Sequence, residues 1–539
     1  MIPNQPIEEP VSLSMSPYTG PWTKAQAAHL LRRTMFGATN QQILSAVSNG
    51  MAATVNSLLQ LPSVSPPVTY DPADGISAVG TTWINSVYPV NATAAQTTET
   101  TRLLSLAAWS MQRLNNQQLS IVEKMTLFWI NHFGATATFD SRATYNYHML
   151  LRNNALGNFK QLVKDVTIDP CMLLFLNGAT NNVFSPNENY ARELLELFTI
   201  GKGPQIGPGD YSHYTEEDVA AGAKILTGYI VDGLRSDTMT SPVATFLSLL
   251  HDNTNKQLSY HFGNATVSSA GATEYSNYID IIFQQPQVAT YICTKLYRYF
   301  VNYDITPAVQ ATVIQEMAST LIANNYSILP VMQELLTSQH FYDVALRGSI
   351  IRGPIEILFG KLNATSSAPT FNLETNANMY LSTYFFGETM GQAYLAPPSV
   401  AGWSAYYQAP AFSQLWVNST HIKTRFDLAA YLTIFTGIAF NNQNFKINAL
   451  AFVNGLSVPS DPVIVINDIC EVFCPKPINA IQKAVLKSIL TGGLPDFEWT
   501  VDYNAYLADP TNINVSTPVR QKVEQVLFRV FVMPEFQTI

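Results

Sequence analysis

Apolar side chains recur every three or four residues through most of the chain, which is the spacing of one face of an α-helix. The first such segment begins at Thr23, which has Gln26 three residues later in a capping-box arrangement, and it ends at Gly37. Similar patterns predict helices over 98–133, 146–166, 169–177, 186–200 and 274–341, with further starts at 215 and 354. The chain is therefore expected to be mainly α, a multi-helix globular bundle.

Two stretches lack this periodicity. Residues 62–91 contain clusters of Pro, Gly and Asp, which predict a loop or a small inserted element. Residues 229–264 predict a short hairpin or an irregular loop. Because strands and helices do not alternate along the chain, a parallel α/β sheet is not expected.

The length of 539 residues exceeds what one hydrophobic core supports, since single cores stop growing at roughly 250–300 residues. We therefore expect two or three lobes. The proline-rich residues 1–20 predict an extended N-terminal arm, residues 21–430 a helical domain, and residues 431–539 a C-terminal helical extension.

Composition narrows the class of protein. Only 12% of the residues are charged, about half the usual share, and a surface rich in Asn, Gln, Ser, Thr and Tyr is typical of secreted or cell-surface proteins. The net charge of −9, without a basic stripe, argues against nucleic-acid binding. The sequence contains no run of about 18 apolar residues, so no membrane-spanning helix is predicted. The N-terminus lacks the pattern of an export signal, so we expect either a cytoplasmic protein or a leader already removed.

The segment 186–200 carries the densest charged pattern, with Ser185 as the predicted N-cap. At 100° per residue, Glu188, Arg192 and Glu196 fall within about 80° of one another, with Glu193 beside them. Helix capping and two ion pairs with Arg192 are the favoured interpretation. The functional hypothesis places Glu193 and Glu196 in a polar cleft between helices, as general acid and base or as metal ligands, with Arg192 binding the substrate.

Two histidines are further candidates. His132 ends an apolar helix, where a packed side chain is favoured over a catalytic base. His251 and Asp252 predict either a divalent-metal site or an Asx turn, and the turn is favoured. The sequence does not identify a cofactor, and a divalent metal is the one candidate. No pair of helices carries Glu followed three residues later by His, so a di-iron centre is not favoured.

Near residue 400, Trp403 and Trp416 would bind sugar rings if they formed a stacking platform with Tyr406 and Tyr407; the favoured alternative is that Trp403 fills the core. Two of the four cysteines, Cys470 and Cys474, allow either a disulfide or two buried thiols on successive helical turns. The sequence contains no GxSxG, Walker loop, HExxH or Rossmann fingerprint.

Seven separated strings in order along the chain resemble the bacterial domain-of-unknown-function 1800 family, over about residues 25–430. They are HLLRRTMFG, KMTLFWINHF, LRNNALGNF, NENYARELLELFTIG, YTEEDVAAGAKILTGY, HDNTNK and PPSVAGW. The resemblance implies an often exported protein, often encoded beside a partner similar to alkaline phosphatases and sulfatases. Many relatives have FWHNHF where this chain has FWINHF, so Ile130 replaces a histidine. That departure weakens any metal site built on a His pair there.

Two hypotheses of function follow. In the first, the chain is a secreted or periplasmic accessory protein, a helical scaffold that binds a polysaccharide or the phosphatase/sulfatase-like partner. In the second, it is a metal-dependent or acid/base hydrolase of an extracellular glycan, with its candidate side chains around one pocket. Convergence of those side chains in one cavity would favour the enzyme.

Overall fold

The computed structural model describes residues 11–136 and 139–539, and helices dominate it. The helices up to residue 282 are α1 Lys24–Thr34, α2 Asn40–Asn49, α3 Met51–Leu58, α4 Ala92–Asn115, α5 Val122–His132, α6 Ser141–Asn153, α7 Phe159–Thr167, α8 Pro170–Phe175, α9 Asn189–Glu193, α10 Glu216–Ile225 and α11 Glu274–Ile282. The later ones are α12 Pro286–Phe300, α13 Pro307–Val309, α14 Gln315–Ala323, α15 Ile328–Thr337, α16 Pro354–Ala364, α17 Leu373–Thr389, α18 Ser419–Leu432, α19 Ala449–Asn454, α20 Pro462–Phe473, α21 Ala480–Thr491, α22 Asp496–Ala508 and α23 Ile513–Phe531.

The strands form short antiparallel pairs. They are β1 Gln205–Gly207 with β2 Asp210–Tyr211, β3 Tyr229–Asp232 with β4 Val243–Phe246, β5 Lys256–Gln257 with β6 Thr266–Val267, and β7 Ile438–Phe440 with β8 Gln443–Phe445. The expectation of a mainly α fold is confirmed, and the aperiodic stretch 229–264 contains the β3–β4 hairpin.

Capping signals place several helix starts where the sequence predicts them. Thr215 and Asp218 form a capping box at the start of α10. Each side chain accepts a hydrogen bond from the backbone N–H of the other residue. The helix α1 begins directly after Thr23, whose N–H donates to Gln26. Among the described residues, no helix combines the length and apolar character that crossing a bilayer requires.

The central helix α5 is buried on all sides from residue 122 to 130, as its apolar sequence predicts. It nevertheless carries two adjacent charges, Glu123 and Lys124. Glu123 lies 2.8 Å from Nε of Arg113 on α4 and 2.8 Å from Nε of Arg152 on α6, and Lys124 pairs with Glu356 on α16. Buried charges are tolerated when they are paired in this way. The pairs therefore connect α5 to three other helices.

The end of α5 is fixed by the PPSVAGW segment. Asn131 accepts a hydrogen bond from the backbone N–H of Trp403 through Oδ1 at 2.8 Å. Gly402 has a φ of +80°, and a Cβ there would collide with both Oδ1 and the backbone oxygen of Asn131. Glycine is therefore required at this contact for its backbone conformation and for its lack of a side chain.

Gly402→Ala is expected to lower the free energy of unfolding by about 3 kcal/mol or more, since left-handed strain and overpacking add. Gly493→Ala is the matched control, because Gly493 has a φ of +76° and an added methyl group would meet no neighbouring atom within 4 Å. It should cost only about 1–2 kcal/mol. Urea denaturation measures both, and equal losses would contradict the role of the Asn131 contact.

Candidate functional site

The helix that carries the charged candidates begins later than its sequence predicts. Ser185 is not the N-cap and Pro186 is not the first helical residue, since α9 begins at Asn189. The carboxamide Oδ1 of Asn187 accepts from the N–H of Asn189, and Asn181 Oδ1 accepts from the N–H of Asn187. The first contact is an Asx turn and the second ties the segment back to Asn181, and together they keep residues 187 and 188 out of the helix.

Beyond Glu193 the helix widens into a π-helical turn, Leu194–Thr199. The N–H of Ile200 donates to the carbonyl of Leu195, five residues back. The apolar face stays buried as the sequence predicts, with Leu194, Leu195 and Phe198 fully enclosed. Wide turns of this kind are rare and occur often at functional sites.

The π turn changes the pairing of Arg192. This guanidinium pairs with Glu188 at 3.1 Å and forms a two-pronged contact with Glu216, at 2.7 and 3.0 Å. The expected i,i+4 pair with Glu196 does not form. The extra residue in the turn rotates Glu196 out of the position that a regular α-helix would give it. Arg192 is thus already engaged by two carboxylates.

Glu196 instead faces the segment after the turn. Its Oε2 accepts from the hydroxyl of Tyr214 at 2.9 Å and lies 3.3 Å from Nζ of Lys202. Glu193 is half-buried, and its pKa is raised because burial disfavours the carboxylate and Glu196 repels it. Two carboxyl groups with different surroundings therefore lie three residues apart, one before the π turn and one within it, an arrangement that suits acid/base chemistry.

His132 lies against the inner side of the same turn. Its Nε2 is 3.1 Å from the carbonyl oxygen of Phe198, which can only accept, so Nε2 carries the proton and Nδ1 is an acceptor. Nζ of Lys295 on α12 donates to that Nδ1 at 3.2 Å and to the carbonyl of Leu197 at 3.0 Å. Burial and the Lys295 charge lower the pKa of His132 well below its usual value.

Lys295 is a member of this cluster that no sequence pattern predicts. Its pKa is lowered to about 7, because burial disfavours the ammonium and Arg298 on the same helix repels it. Nζ also lies 4.6 Å from the ring centroid of Tyr291, whose hydroxyl donates to the carbonyl of Leu197. Lys295 and Tyr291, one helical turn apart on α12, thus hold the π turn from its inner side.

His251 and Asp252 lie in a different place. The imidazole is buried between the backbone oxygen of Thr227 at Nδ1, 2.9 Å, and Glu274 at Nε2, 3.0 Å. Lys256 lies 2.6 Å from the other oxygen of Glu274. The Asp252 carboxylate accepts from the backbone and hydroxyl of Thr254, as in an Asx turn. Within the described ranges, no group of three or more His, Cys, Asp or Glu is arranged to hold a metal.

The two candidate tryptophans are buried in the core. Trp403 is 2% exposed and Trp416 is 4% exposed, and the ring of Tyr406 packs edge-on against Trp416. Only Tyr407 is exposed in this group. The arrangement offers no open stacking surface at Trp403 or Trp416. Cys470 and Cys474 are buried free thiols.

The structure therefore unites only part of the candidate set. Glu196 lies in the π turn, Glu193 directly precedes it, and His132 contacts the turn through the carbonyl of Phe198 on its buried side. His251 is instead held by Glu274, and Asp252 by Thr254, in the segment that leads into α11. The five side chains proposed for a hydrolase pocket accordingly fall into two separate clusters.

A cleft of about 490 Å³ opens elsewhere, between α4, α17 and the loop of residues 62–70. Its volume lies in the range of small-ligand sites, roughly 300–1,000 Å³. The lining residues from α4 share one helical face, and Asn116, directly after the helix, continues it; the residues on α4 are Ser105, Ala108, Trp109, Gln112 and Arg113. The half-buried indole of Trp109 donates to the carbonyl of Ser65 at 2.8 Å, and this bond holds the loop against α4.

Amide side chains line the same cleft. Gln112, Asn116 and Gln118 line the cleft and are exposed. Beneath them Arg113 places its guanidinium carbon 4.7 Å from the Trp109 ring centroid, and Glu123 and Arg152 complete the floor. Two guanidinium groups and one carboxylate leave the floor with one positive charge.

The sequence contains a signal for this cleft. The segment LLSLAAWSMQRL predicts a core helix, yet Trp109, Gln112, Arg113 and Asn116 follow the i, i+3, i+4, i+7 spacing of a polar face. The opposite wall could not be foreseen, because α17 lies far along the chain from α4. Residues 62–70 are predicted only as a loop.

Comparison with known proteins identifies a family. A family model described as "Protein of unknown function (DUF1800)" matches residues 29–538. No curated protein and no solved structure matches the chain.

Lys295→Met is expected to change how stability depends on pH. A lysine usually titrates near 10.5, so between pH 7 and 10.5 the unfolded chain binds a proton that the folded chain has released. The wild-type free energy of unfolding should therefore rise with pH across this window, relative to the variant, by at most about 1.4 kcal/mol per pH unit.

Urea denaturation from pH 6 to 9.5 measures this difference. Lys423→Met is the control, since Lys423 is exposed on α18 and should leave the pH dependence unchanged above pH 7. A constant difference between the wild type and Lys295→Met at all pH values would contradict the lowered pKa of Lys295.

Proposed function

The chain belongs to the DUF1800 family of proteins of unknown function, and we propose that it is a binding scaffold whose α4–α17 cleft holds an extracellular polysaccharide. The observation that carries the proposal is the half-buried Trp109 at a cleft of about 490 Å³, among exposed amides. An indole presents a broad apolar face to a sugar ring. Amides donate and accept hydrogen bonds, as sugar hydroxyls do.

The charge of the cleft favours one class of sugar. The floor residues Arg113, Arg152 and Glu123 are buried and carry one net positive charge, which attracts anions over a distance even without direct contact. We therefore expect an acidic polysaccharide, with carboxylate or sulfate groups, to bind more tightly than a neutral one.

The cellular setting is part of the proposal. The low share of charged residues, 12%, supports a location outside the cytoplasm, as a secreted or periplasmic protein. The family resemblance supports a bacterial source and a partner similar to phosphatases or sulfatases. A scaffold that binds an acidic glycan would bring such an enzyme to its substrate.

Trp109→Ala is expected to weaken polysaccharide binding by about tenfold to a hundredfold, because burial of a large aromatic face stabilises a complex by roughly 1.5–3 kcal/mol. Native affinity electrophoresis in gels containing alginate, dextran sulfate or dextran measures the retardation. The wild type should be retarded most by the two acidic polymers.

Tyr407→Ala is the matched control, because Tyr407 is an exposed aromatic outside the cleft, in the segment that contains Trp403 and Trp416. It should bind like the wild type. Equal retardation of Trp109→Ala and the wild type would refute the cleft, and a loss confined to Tyr407→Ala would move the site to the segment after residue 400.

A second candidate function is acid/base hydrolysis of an extracellular glycan. The observation that favours it is the pair of Glu193, directly before the π turn, and Glu196 within the turn, with the pKa of Glu193 raised. A carboxyl group with a raised pKa keeps its proton at higher pH, as a general acid requires. The metal-dependent form of this hypothesis has no ligand group among the described residues.

Under this second candidate, Glu193→Gln should lower the release of reducing ends from a glycan by about a hundredfold or more, since Gln cannot transfer a proton. Glu188→Gln is the control, because Glu188 is exposed and pairs with Arg192. A wild-type protein that releases no reducing ends from acidic or neutral glycans would eliminate the hydrolase hypothesis.

A further inference from the structure

A second cavity lies where α1, residue 347 and the end of α20 meet, and none of its lining residues belongs to the α4–α17 cleft. Its volume is about 110 Å³, well above the roughly 10–15 Å³ that one water molecule needs. The wall includes Arg32 from α1, Arg347 from the segment before α16, and Cys470 and Cys474. Lys476 and Lys483 belong to the wall as well.

The charges on this wall are unbalanced. Four basic side chains line it, and Glu471 is the one carboxylate among the lining residues described. Glu471 is exposed and lies 3.0 Å from Nζ of Lys24, which already pairs with it. Lys483 donates to Asn467 at 2.8 Å, so a neutral group satisfies it. The cavity therefore holds excess positive charge.

Arg347 is the most informative member of the wall. It is 6% exposed, and its Nε and Nη2 make no hydrogen bond to any of the described residues. These two nitrogens form the side edge of the guanidinium, which matches two oxygens of one oxyanion. Burial lowers the pKa of Arg347, and the nearby Tyr18 and Asp343 offset this only in part. Enclosing guanidinium nitrogens without hydrogen bonds is costly, because their desolvation is not compensated.

Arg32 adds a second incomplete guanidinium. It is 8% exposed, its Nη2 donates to the carbonyl of Glu471 at 2.8 Å at the end of α20, and its Nε lacks a partner among the described residues. Burial and repulsion by Arg352 and Arg347 lower its pKa to about 9. Burial and the charges of Arg33, Arg347 and Arg32 lower the pKa of the nearby His29. An added anion would offset this repulsion.

We propose that this cavity is a binding site for a small tetrahedral oxyanion, phosphate or sulfate, held by Arg347 and Arg32 with Lys476 at the rim. The anion binds either free or as the end group of a larger ligand. The site is independent of the α4–α17 cleft, since the two cavities share no lining residue.

Thermal unfolding in the presence of inorganic phosphate or sulfate tests the proposal, against sodium chloride at matched ionic strength. The wild-type midpoint should rise by several degrees in phosphate, because a ligand that binds only the folded state stabilises it. Arg347→Met should lose this shift and, in chloride, should unfold no earlier than the wild type, because it removes an unpaired buried charge while keeping an apolar stem.

Isothermal titration calorimetry gives the affinities. Lys476→Gln, on the exposed rim, should bind phosphate at least threefold more weakly and is expected to fold normally. Lys423→Gln, which changes an exposed lysine on α18, is the matched control and should bind like the wild type. Trp109→Ala should also keep the phosphate shift, which separates this site from the glycan cleft.

A glycerol phosphate arm identifies the source of the anion. If the ester binds as tightly as inorganic phosphate, the site is supported and the natural ligand carries the phosphate as an end group. If only the inorganic anions bind, the site is supported and its ligand is a free ion. A wild-type shift no larger in phosphate and sulfate than in chloride would overturn the proposal. So would an unchanged phosphate affinity in both Arg347→Met and Lys476→Gln.

Discussion

Neutralisation of charge inside the helical core is the constraint on which the arrangement of this protein depends. The central helix α5 is enclosed on all sides, yet it carries Glu123 and Lys124 side by side. Each charge can be buried only because another helix supplies its partner, and removal of one partner would leave an uncompensated ion. Helix packing around α5 is therefore specified by ion pairs as well as by apolar contacts. The floor of the α4–α17 cleft is made from the same pairs.

The same rule identifies the places where polar groups are not fully paired. Arg142 shows the satisfied case, since its guanidinium donates to Asp140 and to three backbone carbonyls. Arg347 shows the opposite case, with two enclosed nitrogens that lack partners among the described residues. Most buried polar groups in native proteins are paired, so each unpaired one calls for an explanation, of which a bound ion is one. Lys295 is intermediate, because its hydrogen bonds are formed while its charge is disfavoured by burial.

The π turn at Leu194–Thr199 illustrates how one backbone irregularity redirects a whole set of side chains. A regular α-helix would pair Arg192 with Glu196. In the wider turn Arg192 pairs with Glu216 instead, and Glu196 accepts a hydrogen bond from Tyr214. It also turns the carbonyls of Leu197 and Phe198 toward Lys295 and His132. The polar cluster of this region is thus organised by a backbone change rather than by the order of charged residues.

The sequence alone determined the helical class, the burial of α5, the α10 cap and the amphipathic character of the Arg192 helix, because these depend on neighbours within one or two turns. It also carried the family motifs over most of the chain. Tertiary structure alone decided that Trp403 and Trp416 are enclosed, that His251 pairs with Glu274, and that Trp109 faces α17 across a cleft. These outcomes depend on contacts between residues far apart in the chain, where local periodicity holds no information. The π turn also escaped prediction, since its i→i+5 bonds fit the same residues that would form an α-helix.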